Sequence, residues 1–300
     1  LRICRFHLPR AGPRLGAIVE DDVFDLTASG RAELATLEAF LAASDTLAAP
    51  PSAWLSAQLA GLPRLCSYHA LQRPPGPDHP HLLKPLDNQE VWAAGVTYFR
   101  SRTAREEESH GSGIYERVYV AERPEIFFKA TPSRTVGPFE PVRVRSDSRW
   151  SVPEAELALV LSPQLRLIGY TAANDVTARD IEGENPLYLP QAKIYAACCA
   201  VGPCITLADS FEAAKPAAIT CAIRRAGVTI FHGETRTDRI RRPLAGLIAY
   251  LGRDNLFPAG ALLLTGTGIV PPDDVSLQAG DSVEITIERI GTLLNPVERG

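Results

Sequence analysis

Residues 150–195 read WSVPEAELALVLSPQLRLIGYTAANDVTARDIEGENPLYLPQAKIY, and the fold is decided here. Glu154 and Glu156 are two apart in a β-prone run, PEAELALVL. Side chains alternate faces along a strand, so both acids point the same way. Asp175 closes a second apolar run, LRLIGYTAAND. If the two runs pair, three carboxylates converge. No Cys or His stands nearby to complete a zinc site. An all-oxygen set suits a hard divalent cation, Mg²⁺, Mn²⁺ or Ca²⁺. Taken alone, a bare E-x-E fits the solvent face of an edge strand better. The residues around it decide between the two.

The chain has 300 residues, 45% of them apolar and 22% charged, ordinary for a globular protein. A net charge of −4 gives no case for nucleic acid or an anionic membrane as partner. No apolar run approaches the roughly 20 residues that cross a bilayer, and the first residues, LRICRFHLPRAG, do not read as a secretory signal. Six cysteines without a C-x-x-C read as free thiols, so a cytoplasmic setting is expected. The chain contains no methionine.

Outward from the central stretch, Arg2–Phe6, Leu15–Glu20 and Asp22–Leu26 alternate as short strands, and Leu34–Ala48 and Ser52–Leu62 have helical spacing. RPPGPDHPH at 73–81 cannot be regular structure. A boundary near Leu82 is therefore expected, with 1–82 a small N-terminal α+β domain and 83–300 the catalytic domain. EVWAAGV (90–96) and PEIFFKA (124–130) are strands; on the second, Glu125, Phe127 and Lys129 share a face. Between them lie about twenty polar residues, broken by Gly-Ser-Gly at 111–113, which suit a lid over a site. The run AACCAVGPCITLAD (196–209) suits tight packing. Ala218–Arg225 and Val228–His232 form a hairpin, Thr237–Leu251 has helical spacing, and Leu262–Val270 and Asp281–Ile290 are strands. The fold class is α+β, strand-dominated, without the regular alternation of a parallel α/β sheet.

Four segments, PEAELALVL, GYTAANDVTARDIEG, QAKIY and LLTGTGIV, occur in an order that resembles the fumarylacetoacetate hydrolase superfamily. The resemblance covers about residues 90–297. It implies a mixed β-roll with a divalent metal at one mouth, acting on 2-oxo acids. It implies Glu154, Glu156 and Asp175 as ligands of Mg²⁺ (or Mn²⁺), and a homodimer or homotetramer. Lys193 matches the family's active-site lysine, a general base if burial and the metal lower its pKa. The Thr265–Gly268 loop, Thr267 above all, matches the cradle of the substrate carboxylate.

Hydrolases of the superfamily carry G-x-N-Y-x-x-H after the strand placed at 90–96, and their His activates water. Gly95 and Tyr98 match, but Thr97 replaces the Asn and Ser101 the His. Ser101 cannot act as a base near neutral pH, and His110, in a polar Gly-flanked stretch, is a poor substitute. Ser101 and its neighbour Arg102 join Lys193 and Thr267 as expected substrate-binding residues. GVTYFRSRTAREEES, IYERVYVAERPEIFFKA and IEGENPLYLPQAKIYAACCAVGP are similar to the 2-keto-3-deoxy-pentonate dehydratase branch. That implies a hydro-lyase converting a small 2-oxo sugar acid, 2-dehydro-3-deoxy-D-arabinonate, to 2,5-dioxopentanoate through a metal-stabilised enolate. Lys193 would take the C3 proton and Glu125 would be the acid for the leaving hydroxyl. Asp180, Glu182 and Glu184 would bind sugar hydroxyls or support the site. The alternative is a C–C hydrolase of an acylpyruvate or 2,4-dioxo sugar acid on the same fold; a non-catalytic metal-binding protein is a third reading.

Overall fold

The computed structural model describes residues 1–108, 113–212 and 215–300; His110 and the start of the Gly-Ser-Gly break lie outside them. Among the described residues the chain is built on a mixed twelve-stranded sheet. Its strand order is Arg64–Ser67, Asp22–Asp25, Gly12–Val19, Arg2–Leu8, Cys199–Leu207, Leu167–Asp175, Ala155–Leu161, Ala261–Leu264, Glu90–Gly95 and Glu125–Ala130. His81–Leu83 pairs with Arg2–Leu8, and Thr135–Val136 with Cys199–Leu207. A five-stranded sheet carries, in order, Val228–Arg236, Ala218–Arg225, Ser282–Ile287, Gly291–Arg299 and Val142–Val144.

All seven residues of Ala155–Leu161 are buried, so this strand reads as a near-continuous apolar run. Its two faces serve different cores. Ala155, Leu157, Leu159 and Leu161 pack with Ile219, Ile223, Ile285 and Leu293 of the five-stranded sheet. Ala158 and Val160 pack on the other side with Leu37, Phe40 and Leu41 of the Leu37–Ser44 helix and Leu55 of the Pro51–Gln58 helix. Each fully buried Leu, Ile, Val or Phe among these contributes about 1.5–3 kcal/mol. Glu154 and Glu156 fall on the face of Ala158 and Val160, beyond the end of that second core.

The N-terminal strands do not stand apart. Arg2 and Ile3 pair with Thr206 and Ile205, so the sheet runs from the first 82 residues into the rest. The expected boundary near Leu82 falls within the His81–Leu83 strand, which pairs with Arg5–His7. The Cys199–Leu207 run, expected only as packing, is a nine-residue strand between these halves, buried at every position. Thr237–Leu251 is helical only from Leu244 to Leu251, because Pro243 and the preceding polar residues form a 3-10 turn and a loop. The polar segment after Val96 forms two helices, Phe99–Glu108 and Ile114–Val120. Among the described residues no helix is long and apolar enough to cross a membrane.

Candidate active site

Five strand ends meet at one mouth of the sheet. Leu157 and Ala172 lie opposite one another, as do Glu156 and Ala173 and then Ala155 and Asn174. The next rung is Glu154 with Asp175, and the Asp175 amide donates to the Glu154 carbonyl at 3.0 Å. Pairing thus brings the end of one strand to the start of the other, and the acids with them. One carboxylate oxygen from each of Glu154, Glu156 and Asp175 lies within 4.8 Å of the other two. All three are buried, at 5%, 1% and 1% exposure. Buried acids at this spacing need cationic partners.

Arg179 Nη2 donates to Glu154 Oε1 at 2.8 Å, and its Nη1 to Glu182 Oε2 at 3.0 Å. Lys193 Nζ donates to Glu154 Oε2 at 2.9 Å, Asp175 Oδ2 at 3.0 Å and Thr177 Oγ1 at 2.7 Å. Lys129, with no exposed surface, sets its Nζ 2.5 Å from Asp175 Oδ1 and donates to the carbonyls of Val176 and Lys193. The contact to Asp175 is a fully buried ion pair. Glu156 accepts from the Gly266 amide and makes no ion pair among the described residues. Burial first, then Asp175 and Glu154, push its carboxyl well above the usual range. Burial acts against the Lys193 charge, but Asp175, Glu154 and Glu182 outweigh it and raise its pKa. The direction is opposite to that expected of a base, because sequence placed Lys193 near a cation and not against three carboxylates.

The cavity over this cluster is lined by Gly95, Val96, Ser101, Glu125, Phe127, Glu182, Gly266 and Thr267, besides the three acids and Lys193. Glu125 and Phe127 reach it from one strand face, as alternation requires. On that strand Val91 faces Ala130 and Trp92 faces Phe128, so Lys129 is the extra residue of a bulge, which aims it at Asp175. Ile114, Tyr115 and Val118 close the cavity from the Ile114–Val120 helix. That helix is held at its C-terminal carbonyls by Arg242, which donates to Val118 and Ala121, and by Arg241, which donates to Tyr119. Two glycines are required here. A methyl on Gly95 would meet Glu125 Oε2 at 2.1 Å, and Gly266 has φ +85° with Thr97 Oγ1 at 2.1 Å from its would-be Cβ.

Glu154, Glu156, Asp175, Lys193, Glu125, Ser101 and Thr267 are therefore gathered around one cavity. Arg102 is not among them. It pairs with Glu116 at 2.9 Å and lies over the rings of Phe99 and Tyr119, joining the two helices on the outside. A helix turns successive residues by about 100°, so Ser101 and Arg102 cannot share a face. The expected carboxylate cradle is partly engaged internally. Thr265 donates its hydroxyl to Leu157, Gly266 its amide to Glu156, and the Thr267 hydroxyl bonds with Ile269. Asp180 accepts from Ser148 and Arg149 and Glu184 is exposed, whereas Glu182 lines the cavity. Lys129 and Arg179 were missed as site residues. The available signal was charge: three buried acids exceed what Lys193 alone can balance, and Arg179 lies in the same apolar-flanked stretch.

The family model described as fumarylacetoacetate hydrolase, C-terminal, matches residues 90–298. The chain belongs to the fumarylacetoacetate hydrolase family. Within that family it is 50% identical over 222 residues to 2-dehydro-3-deoxy-D-arabinonate dehydratase of Saccharolobus solfataricus, covering 73% of this chain and 74% of that one. It is 50% identical over 217 residues to a probable 2-keto-3-deoxyxylonate dehydratase of Haloferax volcanii, covering 72% and 75%. Among solved structures, 2-keto-3-deoxy-D-arabinonate dehydratase complexed with magnesium and 2,5-dioxopentanoate superposes with a TM-score of 0.83 at 39% identity, over 100% of this chain and 99% of that one. The mixed sheets are thus those of the fumarylacetoacetate hydrolase fold.

Proposed function

We infer that this chain is a magnesium-dependent hydro-lyase that removes water from 2-dehydro-3-deoxy-D-arabinonate to give 2,5-dioxopentanoate. The observation that carries this is one buried cavity with Glu154, Glu156 and Asp175 at its base, Lys193 and Glu125 in its wall, and Ser101 where a hydrolase would present His. The dehydratase relatives, alike over most of the chain, support the same chemistry.

The three acids fit a hard divalent cation: they are all-oxygen, buried and short of positive charge at Glu156. Mg²⁺ bound there supplies a Lewis acid that polarises the keto group of the substrate and stabilises charge developing at its oxygen. Lys193 is placed to take a C3 proton. The attraction that raises its pKa comes mainly from Asp175 and Glu154. Once these charges are engaged by a cation, burial remains and acts in the direction a base needs. Phe127, its ring centred 5.6 Å from Lys193 Nζ, keeps water from that side. Glu125 is placed to protonate the C4 hydroxyl, which leaves as water; tautomerisation then places an aldehyde at C5. Ser101 and Thr267 bind substrate oxygens, and Ile114, Tyr115 and Val118 cover the site. Residues 1–82 do not line the cavity; their helices cover one face of the shared sheet. A homodimer or homotetramer is part of the same reading. Val228 and Ile230, 65% and 37% exposed on an edge strand, support it, and light scattering tests it.

The test is incubation of the chain and Mg²⁺ with 2-keto-3-deoxy-D-arabinonate, followed by assay of 2,5-dioxopentanoate. Turnover of an acylpyruvate without dioxopentanoate formation would reject the dehydratase in favour of a C–C hydrolase.

A further inference from the structure

Glu125 stands on the last rung of its sheet. It is the first residue of its strand and lies opposite Gly95, the last residue of Glu90–Gly95. Pro124 before it has no amide hydrogen, so the next rung lacks a donor. Strand ends fray first, and such a rung is held by whatever anchors the chain leading into it. Here the anchor is Arg242. Its Nη2 donates to the carbonyls of Val118 at 2.8 Å and Ala121 at 2.9 Å, and its Nη1 to that of Glu122 at 3.1 Å. Its Nε is buried without a partner, so every hydrogen bond of this guanidinium among the described residues goes to the turn at 118–122. Tyr250 adds a second hold, donating to Glu122 Oε1 at 3.2 Å and lying 5.4 Å beneath the Arg123 guanidinium. The mount of Arg242 is itself fixed. The Arg241 amide donates to the Thr97 carbonyl at 3.0 Å, the Thr97 hydroxyl donates to the Thr265 carbonyl at 2.5 Å, and the next amide, of Gly266, holds Glu156. One side chain thus spans from the loop beside the carboxylates to the turn that launches Glu125.

We propose that Arg242 is a positioning residue for departure of the hydroxyl: by gripping the turn at 121–122 it sets Glu125 against the leaving oxygen. The proposal rests on the reading of Glu125 as the acid for that hydroxyl. A planar guanidinium fork can bind three carbonyls at once, which the point charge of a lysine on a flexible stem does not reproduce. Positive charge is also favoured at the C-terminal end of a helix, here Ile114–Val120. Arg241 caps that helix separately at the Tyr119 carbonyl, so the helix keeps a tie of its own when Arg242 is lost. Arg242 does not line the cavity and does not touch substrate. Its effect is confined to the placement of one acid. Metal binding by Glu154, Glu156 and Asp175, and removal of the C3 proton by Lys193, precede departure of the hydroxyl and need neither Glu125 nor the turn before it.

Two rates, measured on the full chain with Mg²⁺, separate these steps. Exchange of the C3 hydrogens of 2-oxobutanoate in D₂O reads proton removal alone, since that acid has no C4 hydroxyl to lose. Formation of 2,5-dioxopentanoate from 2-keto-3-deoxy-D-arabinonate reads elimination. Arg242→Ala should lower kcat for elimination about 100-fold, the scale of a misplacement of about 1 Å, with KM, Mg²⁺ affinity and C3 exchange unchanged. Guanidinium ion added at a sub-denaturing concentration should restore part of that kcat. Arg242→Lys keeps the charge but not the three-carbonyl grip; it should show the same split to a smaller degree, and it carries the comparison if the alanine chain does not fold. Arg242→Ala combined with Glu125→Gln should be no slower than Glu125→Gln alone. An unaltered kcat in both Arg242 variants, or an equal fall in exchange and elimination, would overturn the proposal and leave the active-site reading standing. Full-rate elimination by Glu125→Gln would overturn the reading of Glu125, and the proposal with it.

Discussion

Gly95→Ala is the sharpest probe of the wall opposite the carboxylates. A methyl at residue 95 would lie 2.1 Å from Glu125 Oε2, 2.6 Å from its Cδ and 3.3 Å from its Cγ. Ordinary contact begins at 3.4 Å, so the Glu125 carboxylate must retreat by about 1.3 Å, the difference between the two distances. The backbone itself accepts alanine, since Gly95 lies in a strand and is not among the residues of positive φ. Replacing glycine at such a position is neutral or stabilising by up to about 1 kcal/mol. The fold should therefore survive while one side chain is displaced. A misplacement of about 1 Å in a catalytic group costs on the order of 100-fold in rate, and loss of a general acid costs about 10²–10⁴. The expected outcome is a kcat lowered about 100-fold with melting temperature and Mg²⁺ affinity unchanged. Steady-state dioxopentanoate formation, thermal melting and calorimetry measure the three. Because both changes act on one carboxylate, Gly95→Ala combined with Glu125→Gln should be no slower than Glu125→Gln alone. An unaltered kcat, or full additivity in the double variant, would refute the placement of Glu125 in the chemistry.

Glu156→Gln removes the carboxylate that has no cationic partner among the described residues, so Mg²⁺ affinity and turnover should fall together; full retention of metal affinity in calorimetry would reject it as a ligand. Lys193→Met should retain Mg²⁺ binding and lose activity, and an active variant removes the lysine from the reaction. Arg102→Ala should leave KM unchanged in the steady-state assay, since Arg102 lies outside the cavity. The Glu156 pKa is raised in the folded chain, so its contribution to stability is present below the unfolded carboxylate value and lost as pH rises through the folded one. A cation must displace the same proton, and the difference in melting temperature between Mg²⁺ and chelator should therefore widen as pH rises above the ordinary carboxylate range. A difference that narrows with pH contradicts the assignment.

The carboxylate trio was legible in the sequence because two local facts suffice for it. A period of two puts Glu154 and Glu156 on one face, and pairing of consecutive apolar runs returns Asp175 to the same end. Glu125 and Phe127 were legible for the same reason. What was not legible depended on long-range placement. The Cys199–Leu207 strand gave no alternating signal because it is buried on both faces between Arg2–Leu8 and Leu167–Asp175. Arg102 was misplaced because neighbours in sequence diverge once the segment is helical. Lys129 reaches Asp175 only through a bulge, which no propensity announces.

Charge connects these findings. The buried cluster holds four acids, Glu154, Glu156, Asp175 and Glu182, against three bases, Lys129, Arg179 and Lys193. Burial beside Asp175 and Glu154 favours the protonated form of Glu156, which acts against this imbalance in the cation-free cluster. A dication that displaces this proton leaves the cluster with one positive charge. A single substrate carboxylate balances that charge while Lys193 is an ammonium, and the balance changes when Lys193 gives up its proton to act as the base, so entry of the oxo acid and loss of that proton are electrostatically linked.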